Sequence, residues 1–315
     1  DRMHRLIRAL LLLASAACDG LWPRPVGSLL DYSAEQVNAS AALWNVSLTE
    51  NGIARKAAIA LQVERSAAMW ACADAIPGKL TSTGAWCLTH RVAGARGVVS
   101  FPDTGVSYPI PAHHQPASQR IVHALSKLLR KPINGTSRST YLSLNDFGAG
   151  VGQYGAALKA IDASFRWRGY DGAGNVENWT KGMVNWFDLT IPLSLPRADW
   201  VLALEVAEHV PRRQEGIMMR NLHAHNCMGI IISWAVPGQV GHGHVNLRTS
   251  GYVIQRFESL GYAYDPELTK SMRHGSAADG SSRLHSHPWF LRSLLAFRRI
   301  QRVRSHGCFW PDWRN

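Results

Sequence analysis

Three kinds of pattern are missing from this sequence of 315 residues. No C-x-x-C pair occurs among its five cysteines, which argues against zinc ribbons and thioredoxin-like redox sites. No apolar run reaches the ~20 residues that a membrane-spanning helix needs, and no internal repeat suggests a solenoid or a propeller. The remaining composition, with 46% hydrophobic residues, is that of a globular protein with one large domain or one domain plus a smaller one.

Negative charge is scarce by comparison with positive charge. The chain has 34 Lys and Arg against 22 Asp and Glu, a formal net charge of +12. Such an excess is typical of proteins that bind nucleic acid, membrane surfaces or acidic polymers. However, basic residues interleave densely with aromatic residues only near the C-terminus, over residues 297–313, and most of this stretch lies in a tail at residues 302–315. We therefore assign the charge to scattered surface arginines and expect no nucleic-acid partner.

The most informative stretch runs from Tyr141 to Leu158 and reads YLSLNDFGAGVGQYGAAL. A short apolar run leads to Asp146, and Gly148, Gly150 and Gly152 follow at alternating positions before a run of helix-forming residues. This order predicts a strand, a tight turn and a helix. Glycines in such a turn adopt unusual backbone angles and let a ligand touch the backbone.

Two classes of cofactor use such a turn. Gly150, Gly152 and Gly155 fit the dinucleotide pattern G-x-G-x-x-G, which alone has low specificity. A carboxylate at Asp146 would repel the pyrophosphate of a dinucleotide, but it would attract the ammonium and sulfonium groups of S-adenosylmethionine. The sequence therefore favours S-adenosylmethionine. An NAD-dependent oxidoreductase stays as the alternative, although no downstream Tyr-x-x-x-Lys pair supports it.

Acidic residues also follow the next three predicted strands. Residues 165–170 lead to Asp171, residues 183–187 lead to Asp188 and Leu189, and residues 199–204 lead to Glu205. An acid after the second strand is placed to accept hydrogen bonds from ribose hydroxyls. An acid after the third can accept from the adenine amino group, with Leu189 or Phe187 covering the ring. The alternative for Asp188 is a cap of the following turn.

The remaining segments alternate between helix-like and strand-like patterns. We predict helices at 54–75, 116–129, 211–225 and 249–260, and further strands at 228–234, 262–264 and 289–298. Residues 98–110 read as an edge strand or coil, and residues 273–286 as a polar insertion or lid. Continuous apolar strands between helices predict a parallel sheet covered on both faces.

Residues 1–18 have the layout of a secretory signal peptide, with basic residues before an apolar run that ends in small residues. Four sequons agree with this interpretation, at Asn38, Asn45, Asn134 and Asn178. We therefore expect a glycoprotein of the secretory pathway, in the Golgi lumen or outside the cell. If the apolar run is instead a buried or mitochondrial helix, the secretory assignment fails, and a cytoplasmic protein is the alternative.

Residues 19–110 form an N-terminal helical and loop region, too irregular to suggest an activity. Residues 111–301 form the α/β domain, before the tail at 302–315. Cys72 and Cys87 flank a turn-rich segment and can pair in an oxidising compartment, where closing the loop would stabilise the fold by about 3 kcal/mol. Two buried, reduced thiols are the alternative.

Taken in order, these segments resemble the class I S-adenosylmethionine-dependent methyltransferases over about residues 112–299. The matching motifs are DFGAGVGQYG, the acid Asp171, the pair Asp188-Leu189 and EVAEHVP. The loop SWAVPGQVGHGHVN and the upstream WCL further resemble a eukaryotic and algal group of methyltransferase-like proteins, near the member numbered twenty-four. The resemblance implies a Rossmann-like α/β fold: a seven-stranded, mostly parallel sheet whose last strand is antiparallel.

The resemblance also assigns roles to individual residues. It implies that the methionine end of the cofactor is held by Asp146, Gly148, Gly150 and Gly152, the ribose by Asp171 and the adenine by Asp188 and Leu189. It places Glu205 opposite the transferred methyl. The Asn/Asp-Pro-Pro-Tyr/Phe motif of enzymes that methylate exocyclic amines is missing after the fourth strand. This departure argues against nucleic-acid bases as acceptors.

A hydroxyl acceptor requires a base, and histidine suits that role at neutral pH. The candidates are His244, His242 and His209, on predicted loops after strands four and five. We rank His209 last, because a histidine after the fourth strand is common in this superfamily without being a base. We expect no metal, because His242 and His244 have no third ligand in view.

The sequence thus predicts a methyltransferase that acts on an unidentified acceptor. We expect O-methylation of a glycan or a small metabolite, a substrate class that rests on the expected compartment alone. A third hypothesis is a non-catalytic methyltransferase-fold binding module. The intact glycine turn and the three acids argue against it. The sequence does not predict an oligomeric state.

Overall fold

The computed structural model describes residues 50–73, 78–89, 97–111, 114–132, 139–192, 195–274 and 287–300. The predicted signal peptide at 1–18, the tail at 302–315 and the sequons at Asn38, Asn45 and Asn134 lie outside these residues. Most of the polar insertion predicted at 273–286 lies outside them as well. These expectations therefore stay predictions.

Helices and strands alternate along most of the described chain. The helices are α1 (Glu50–Ala73), α2 (Gln119–Leu129), α3 (Gln153–Ile161), α4 (Val176–Trp179), α5 (Glu215–Ala224), α6 (Ser250–Ser259), α7 (Pro266–His274) and α8 (Phe290–Ser293). The strands are β1 (Val98–Phe101), β2 (Val106–Pro109), β3 (Arg130–Pro132), β4 (Ser139–Tyr141), β5 (Ser143–Phe147), β6 (Arg166–Asp171), β7 (Val184–Trp186), β8 (Ala198–Ala203), β9 (Asn226–Ser233), β10 (Tyr262–Tyr264) and β11 (Leu294–Arg299).

The central sheet has seven strands in the order β10-β11-β9-β8-β5-β6-β7. Strands β5 to β9 pair in parallel, whereas β11 is antiparallel to both β9 and β10. Every residue of β5, β8 and β9 is buried, as expected for strands covered on both faces. The predicted Rossmann-like sheet with its antiparallel last strand is confirmed.

The sheet order places the functional motifs at one edge. Strand β5 lies between β6 and β8. After β5 the chain forms β6 and β7 on one side of it, and then crosses to form β8 on the other side. A crevice opens at such a switch point, outside the carboxyl ends of the strands, and ligands of doubly wound sheets bind there. The glycine turn after β5 and the acids after β6, β7 and β8 all lie at this edge.

Two segments differ from the sequence prediction. Residues 98–110 form a separate antiparallel hairpin of β1 and β2, not an edge strand of the central sheet. Phe101 lies fully buried against Trp167, at 5.6 Å between ring centroids, and the Tyr108 hydroxyl donates to the Val151 carbonyl at 2.9 Å. The hairpin therefore packs on the glycine turn and α3, and these contacts between distant residues determine its place.

The last predicted strand also begins later than expected. Residues 290–293 form the short helix α8, and the strand starts at Leu294, which pairs with Ser233. The backbone amides of Arg292 and Ser293 donate hydrogen bonds to the Trp289 carbonyl oxygen, which closes the helical turn. The apolar composition of WFLRSLLAFR does not reveal this change of conformation. Among the described residues, no helix is long and apolar enough to cross a membrane.

Candidate active site

A cavity of about 440 Å³ opens at the carboxyl ends of β5, β6, β7 and β8. Its walls combine the glycine turn, the loops after these strands, and a segment of the N-terminal region. The volume is within the range of small-molecule sites in proteins. All of the acids predicted to hold a cofactor line this cavity: Asp146, Asp171, Asp188 and Glu205.

The turn after β5 follows the path that its glycines predict. Gly148, Gly150 and Gly152 have φ values of 71°, 57° and 80°, which L-residues rarely adopt. A Cβ at Gly148 would lie 2.0 Å from Cγ2 of Val206. Glycine at these positions therefore satisfies both the backbone conformation and the close packing of the loop after β8. Gly148 and Gly150 line the cavity, whereas Gly152 precedes α3 and packs against Phe101.

Asp171 connects the glycine turn to the loop after β6. Its Oδ2 accepts from the Gly150 amide and its Oδ1 from the Ala173 amide, both at 2.8 Å. Burial raises the pKa of Asp171 to about 6, although these two hydrogen bonds favour the charged form. Asp171 is therefore placed to receive a ligand hydroxyl on its remaining lone pairs, and it also stabilises the turn.

Asp146 lies at the floor of the cavity and is 2% exposed. Its Oδ2 accepts a hydrogen bond of 3.1 Å from the indole nitrogen of Trp167. Burial raises the pKa of Asp146 to about 7, and the nearby charge of Asp171 adds to the rise. A cation in the cavity would offset the cost of ionising this carboxyl.

The loop after β7 carries the predicted adenine-binding residues. Asp188 and Leu189 are buried and line the cavity, together with Phe187. The Asp188 Oδ1 accepts from the Thr190 amide at 2.8 Å, so Asp188 does cap the following turn, as its alternative reading expected. Asp188 also lines the cavity, so its contact with the adenine amino group stays a prediction.

Glu205 begins the loop after β8 with a left-handed backbone, at φ 56°. Such a conformation is strained for a residue with a side chain, and strain of this kind concentrates at functional sites. Ser233 holds the residue in place: its hydroxyl oxygen accepts from the Glu205 amide at 2.6 Å, and the hydroxyl lies 2.7 Å from the Glu205 Oε1. Burial raises the pKa of Glu205 to about 7.

The three candidate histidines meet at the far wall of the cavity. The rings of His209 and His244 lie 5.2 Å apart between centroids, and His242 lies 5.1 Å from Trp86. Burial and the nearby His244 and His242 lower the pKa of His209 to about 4. A histidine with such a pKa accepts a proton poorly at neutral pH. This low pKa argues against His209 as a base, and the ranking of the three histidines stays a prediction.

We expected no metal because the sequence showed no third ligand beside His242 and His244, and the structure shows a candidate for that ligand. In the structure, Glu208 and His209 approach His244, and one ligand atom from each of the three lies within 4.8 Å of the others. The sequence signal was the adjacent pair Glu208-His209 in EVAEHVP, which only the position of His244 completes.

The N-terminal region supplies a part of the site that the sequence did not predict. Cys72 and Cys87 form a disulfide, which closes the loop that carries Trp86. Gly84, at φ +94°, packs so closely that a Cβ would lie 2.1 Å from the His209 carbonyl oxygen. The ring of Trp86 meets His209 edge-on, at 5.8 Å between centroids. This region therefore forms a wall of the cavity.

Several other aromatic rings line the cavity. His114 lies before α2 and contacts Trp86 edge-on, at 6.5 Å between ring centroids. Trp289 and Phe290 enter the wall from the segment read as a strand. In the sequence, only their aromatic side chains could have indicated a place in a binding site, and aromatic side chains are equally typical of a hydrophobic core.

No protein-family model and no curated protein matches the chain. Solved structures resemble its backbone over about half of its length. A magnesium protoporphyrin IX methyltransferase from Synechocystis PCC 6803 with bound SAH has 17% identity and a TM-score of 0.37, covering 51% of this chain and 75% of that one. An O-methyltransferase family protein from Burkholderia thailandensis has 13% identity and a TM-score of 0.39, covering 59% and 56%. A protein described as a pericyclic reaction enzyme has 13% identity and a TM-score of 0.37, covering 56% and 47%.

Proposed function

We propose that the protein is an S-adenosylmethionine-dependent methyltransferase with a hydroxyl group as its acceptor. The observation that carries the proposal is the convergence of four acidic side chains on one cavity beside a glycine turn: Asp146, Asp171, Asp188 and Glu205. Each acid lies at or just after the carboxyl end of a different parallel strand of the sheet: Asp146 and Asp171 within β5 and β6, Asp188 and Glu205 after β7 and β8. The arrangement makes the cavity strongly attractive to a ligand that carries positive charge.

The electrostatics of the cavity favour this cofactor over a dinucleotide. Burial raises the pKa of Asp146 and of Glu205 to about 7, so both carboxyls gain from a nearby cation. Among the described residues that line the cavity, none is lysine or arginine. A pyrophosphate would therefore meet four carboxyl groups and no lysine or arginine, which argues against the NAD-dependent alternative.

The residues around the cavity fit the parts of the cofactor one by one. Asp146 and the backbone of Gly148 and Gly150 suit the charged methionine end, and Asp171 suits the ribose hydroxyls. Asp188 and Leu189 suit the adenine. When bound, the cofactor supplies an electrophilic methyl group on a sulfonium whose departure leaves a neutral thioether.

The protein must hold the acceptor in line and accept its proton. As the acceptor oxygen takes the methyl, the carbon–sulfur bond breaks, its electron pair stays on sulfur, and the hydroxyl proton passes to a base. His242 and His244 line the cavity and serve as candidate bases. Glu205 joins them, because a pKa of about 7 suits a proton acceptor at neutral pH.

The acceptor class follows from the compartment that we propose. A disulfide between Cys72 and Cys87 is typical of proteins in oxidising compartments. The sequon at Asn178 is exposed on α4, where a glycan has room. Both observations support the secretory pathway, and with it a glycan or a small hydroxylated metabolite as acceptor. The resemblance to the methyltransferase-like group near member twenty-four belongs to the same proposal.

Calorimetric titration of the purified protein tests the cofactor. We expect S-adenosylhomocysteine to bind with micromolar affinity, about −8 kcal/mol, and NAD not to bind. Asp171→Asn keeps one oxygen that can accept from the amide of Gly150 or Ala173, but it loses the negative charge. This variant should bind S-adenosylhomocysteine at least tenfold more weakly. Asp103→Asn, an exposed acid on the β1–β2 turn, is the matched control and should bind as the wild type does.

Turnover separates the enzyme from the non-catalytic alternative. Transfer of a labelled methyl group to any member of a panel of hydroxylated sugars and metabolites would establish catalysis. Binding of S-adenosylhomocysteine without transfer to any acceptor would favour the binding module. Binding of NAD in place of S-adenosylhomocysteine would refute the proposal.

A further inference from the structure

We propose that Glu208, His209 and His244 form a binding site for one divalent transition-metal ion, with zinc as the best fit. The site lies in the cavity wall: His209 and His244 line the cavity, and Glu208 lies behind them. The proposal rests on the side chains of this cluster, and it holds whether or not the protein transfers methyl groups.

The geometry of the cluster is close to that of a metal site. The three candidate ligand atoms lie within 4.8 Å of one another, and His244 Nε2 lies 3.9 Å from Glu208 Oε1. Zinc bonds of about 2.0 to 2.2 Å place neighbouring tetrahedral ligand atoms roughly 3.3 Å apart. The side chains would need to close by about 1.5 Å at most, which rotations of the two rings and the carboxylate supply.

Glu208 itself lacks the partners that a buried carboxylate needs. Its side chain is 0% exposed, and neither carboxylate oxygen has a hydrogen-bond partner. The backbone amides of Glu208 and Ala235 lie nearby, but neither forms a hydrogen bond with these oxygens. Buried charges in proteins are normally paired or coordinate a metal. A cation between Glu208 and the two histidines would satisfy both oxygens.

Each of the two histidines has a backbone carbonyl as partner for one ring nitrogen. His209 Nδ1 lies 3.1 Å from the Gly243 carbonyl, and His244 Nδ1 lies 3.2 Å from the Gln239 carbonyl. Because a carbonyl only accepts, each Nδ1 must carry the proton, which leaves the lone pair on Nε2. Metal-bound histidines almost always donate their second ring nitrogen to such a partner. His242 differs, since its Nε2 contacts the Gly78 carbonyl at 2.9 Å.

The backbone holds the two ligand segments together. The amides of Val245 and Asn246 donate to the Glu208 carbonyl oxygen at 2.9 and 3.0 Å, which fixes the His244 loop against the loop after β8. A Cβ at Gly241 would lie 2.1 Å from His244 Nε2, so glycine leaves room for the ring. The cluster is thus a built feature of two loops and not a chance meeting of surface side chains.

The ligand set indicates the metal. Two imidazoles with one carboxylate suit zinc or another first-row transition ion, whereas magnesium and calcium prefer oxygen ligands. Three protein ligands leave a coordination position open, and the cavity gives access to it. This pattern is typical of a catalytic site, since structural zinc sites usually have four protein ligands.

The role of the ion rests on the proposed methyl transfer. An acceptor hydroxyl bound at the open position would have a lower pKa, because the ion stabilises the oxygen anion that forms as the proton leaves. His209 and His244 would then be ligands and not bases, and the proton would pass to Glu205 or to solvent.

Metal titration of the full chain tests the site. After treatment with a chelator and its removal, the protein is titrated with Zn²⁺ by calorimetry and with Co²⁺ by visible absorption, without S-adenosylhomocysteine. We expect one equivalent of either ion to bind, and Co²⁺ to give the absorption of a coordinated ion. His209→Gln, His244→Gln and Glu208→Gln should each weaken binding about tenfold or more, a loss that even second-sphere changes reach.

Two matched variants serve as controls. His242→Gln replaces the neighbouring histidine outside the cluster, and His274→Gln replaces an exposed histidine at the end of α7. Both should bind the metal as the wild type does. Circular dichroism and S-adenosylhomocysteine titration of every variant verify that the fold is intact. No binding to the wild type would overturn the proposal, as would equal affinity in the wild type and all three cluster variants.

The outcomes distinguish this proposal from the proposed function. Metal binding without S-adenosylhomocysteine binding would support the site and refute the methyltransferase. S-adenosylhomocysteine binding without metal binding would do the opposite. If both bind, loss of methyl transfer on chelation and its recovery with Zn²⁺ would support the catalytic role of the ion.

Discussion

Replacing Asp146 by Asn should separate the stability of the fold from the binding of the cofactor. Asp146 is 2% exposed, and its Oδ2 accepts from the Trp167 indole at 3.1 Å. Asparagine has nearly the same shape, and its amide oxygen can keep this hydrogen bond. The substitution therefore removes a buried charge and little else.

The pKa of Asp146 gives the size and sign of the effect. The folded-state pKa of about 7 exceeds the ordinary value of 3.8. At about 1.4 kcal/mol per pKa unit, ionisation of Asp146 lowers the unfolding free energy by up to roughly 4 kcal/mol at pH 8. Because the folded state binds the proton more tightly, this penalty is absent below about pH 4 and grows as the pH rises to about 7.

The assay is urea unfolding of the ligand-free protein at pH 5 and pH 8, beside calorimetric titration with S-adenosylhomocysteine. The unfolding free energy of Asp146→Asn should exceed that of the wild type by about 1 to 2 kcal/mol at pH 5 and by up to about 4 kcal/mol at pH 8. Its affinity for S-adenosylhomocysteine should fall at least tenfold. Asp103→Asn should change neither property by much, because Asp103 lies outside the cavity and loses only an ion pair with Lys159 near the surface, which contributes about 0 to 1 kcal/mol.

Two results would refute this reasoning. Lower stability of Asp146→Asn at pH 8 would mean that the charge supports the ligand-free fold. Unchanged affinity would mean that Asp146 does not face the positive groups of the ligand. Gain of stability with loss of affinity is the pattern expected of a residue kept for binding at a cost to folding.

Three further predictions follow from the same site. Gly150→Ala should lower the unfolding free energy by about 1 to 2 kcal/mol and abolish S-adenosylhomocysteine binding in calorimetry. The reason is that φ is 57° at Gly150 and that the new Cβ would lie 2.9 Å from His114. The control is Gly105→Ala, with φ 69° and open space around it, which should lower the stability without affecting binding. Removing the Cys72–Cys87 disulfide by serine substitution should cost about 3 kcal/mol in urea unfolding and should mimic the effect of a reducing agent on the wild type; an unchanged midpoint in both would contradict it. Lowering the pH from 8 to 5 should weaken S-adenosylhomocysteine binding, because Asp146 and Asp171, with pKa values of about 7 and 6, take up protons; affinity that is independent of pH in calorimetry would be inconsistent with their role.

The sequence predicted the central sheet well because its strands carry their own signal. Residues 228–234 are apolar except for Ser233, and the structure buries β9 completely. The turn after β5 was equally clear, since Gly148, Gly150 and Gly152 require the left-handed backbone that they adopt. The local sequence was sufficient to predict a strand or a turn wherever that segment's own residues determine its conformation.

Prediction failed where distant segments determine a position. Nothing in the loop that carries Trp86 indicates that it will pack against His209, because that contact depends on Gly84 meeting the loop after β8. The third metal-ligand candidate was missed for the same reason. Glu208 and His244 are far apart in sequence, and hydrogen bonds from Val245 and Asn246 to the Glu208 carbonyl bring them together.

The charge of the cavity contradicts the composition of the chain, and this contrast bears on its function. The protein has a net charge of +12, yet the described residues that line this cavity include four acids and neither lysine nor arginine. Burial raises the pKa of Asp146, Asp171 and Glu205, so gathering them costs stability in the ligand-free protein. A cationic ligand at the glycine turn would offset the cost for Asp146 and Asp171, and a metal ion would offset it for Glu208. The two proposals therefore explain the same excess of buried negative charge at neighbouring places in one cavity.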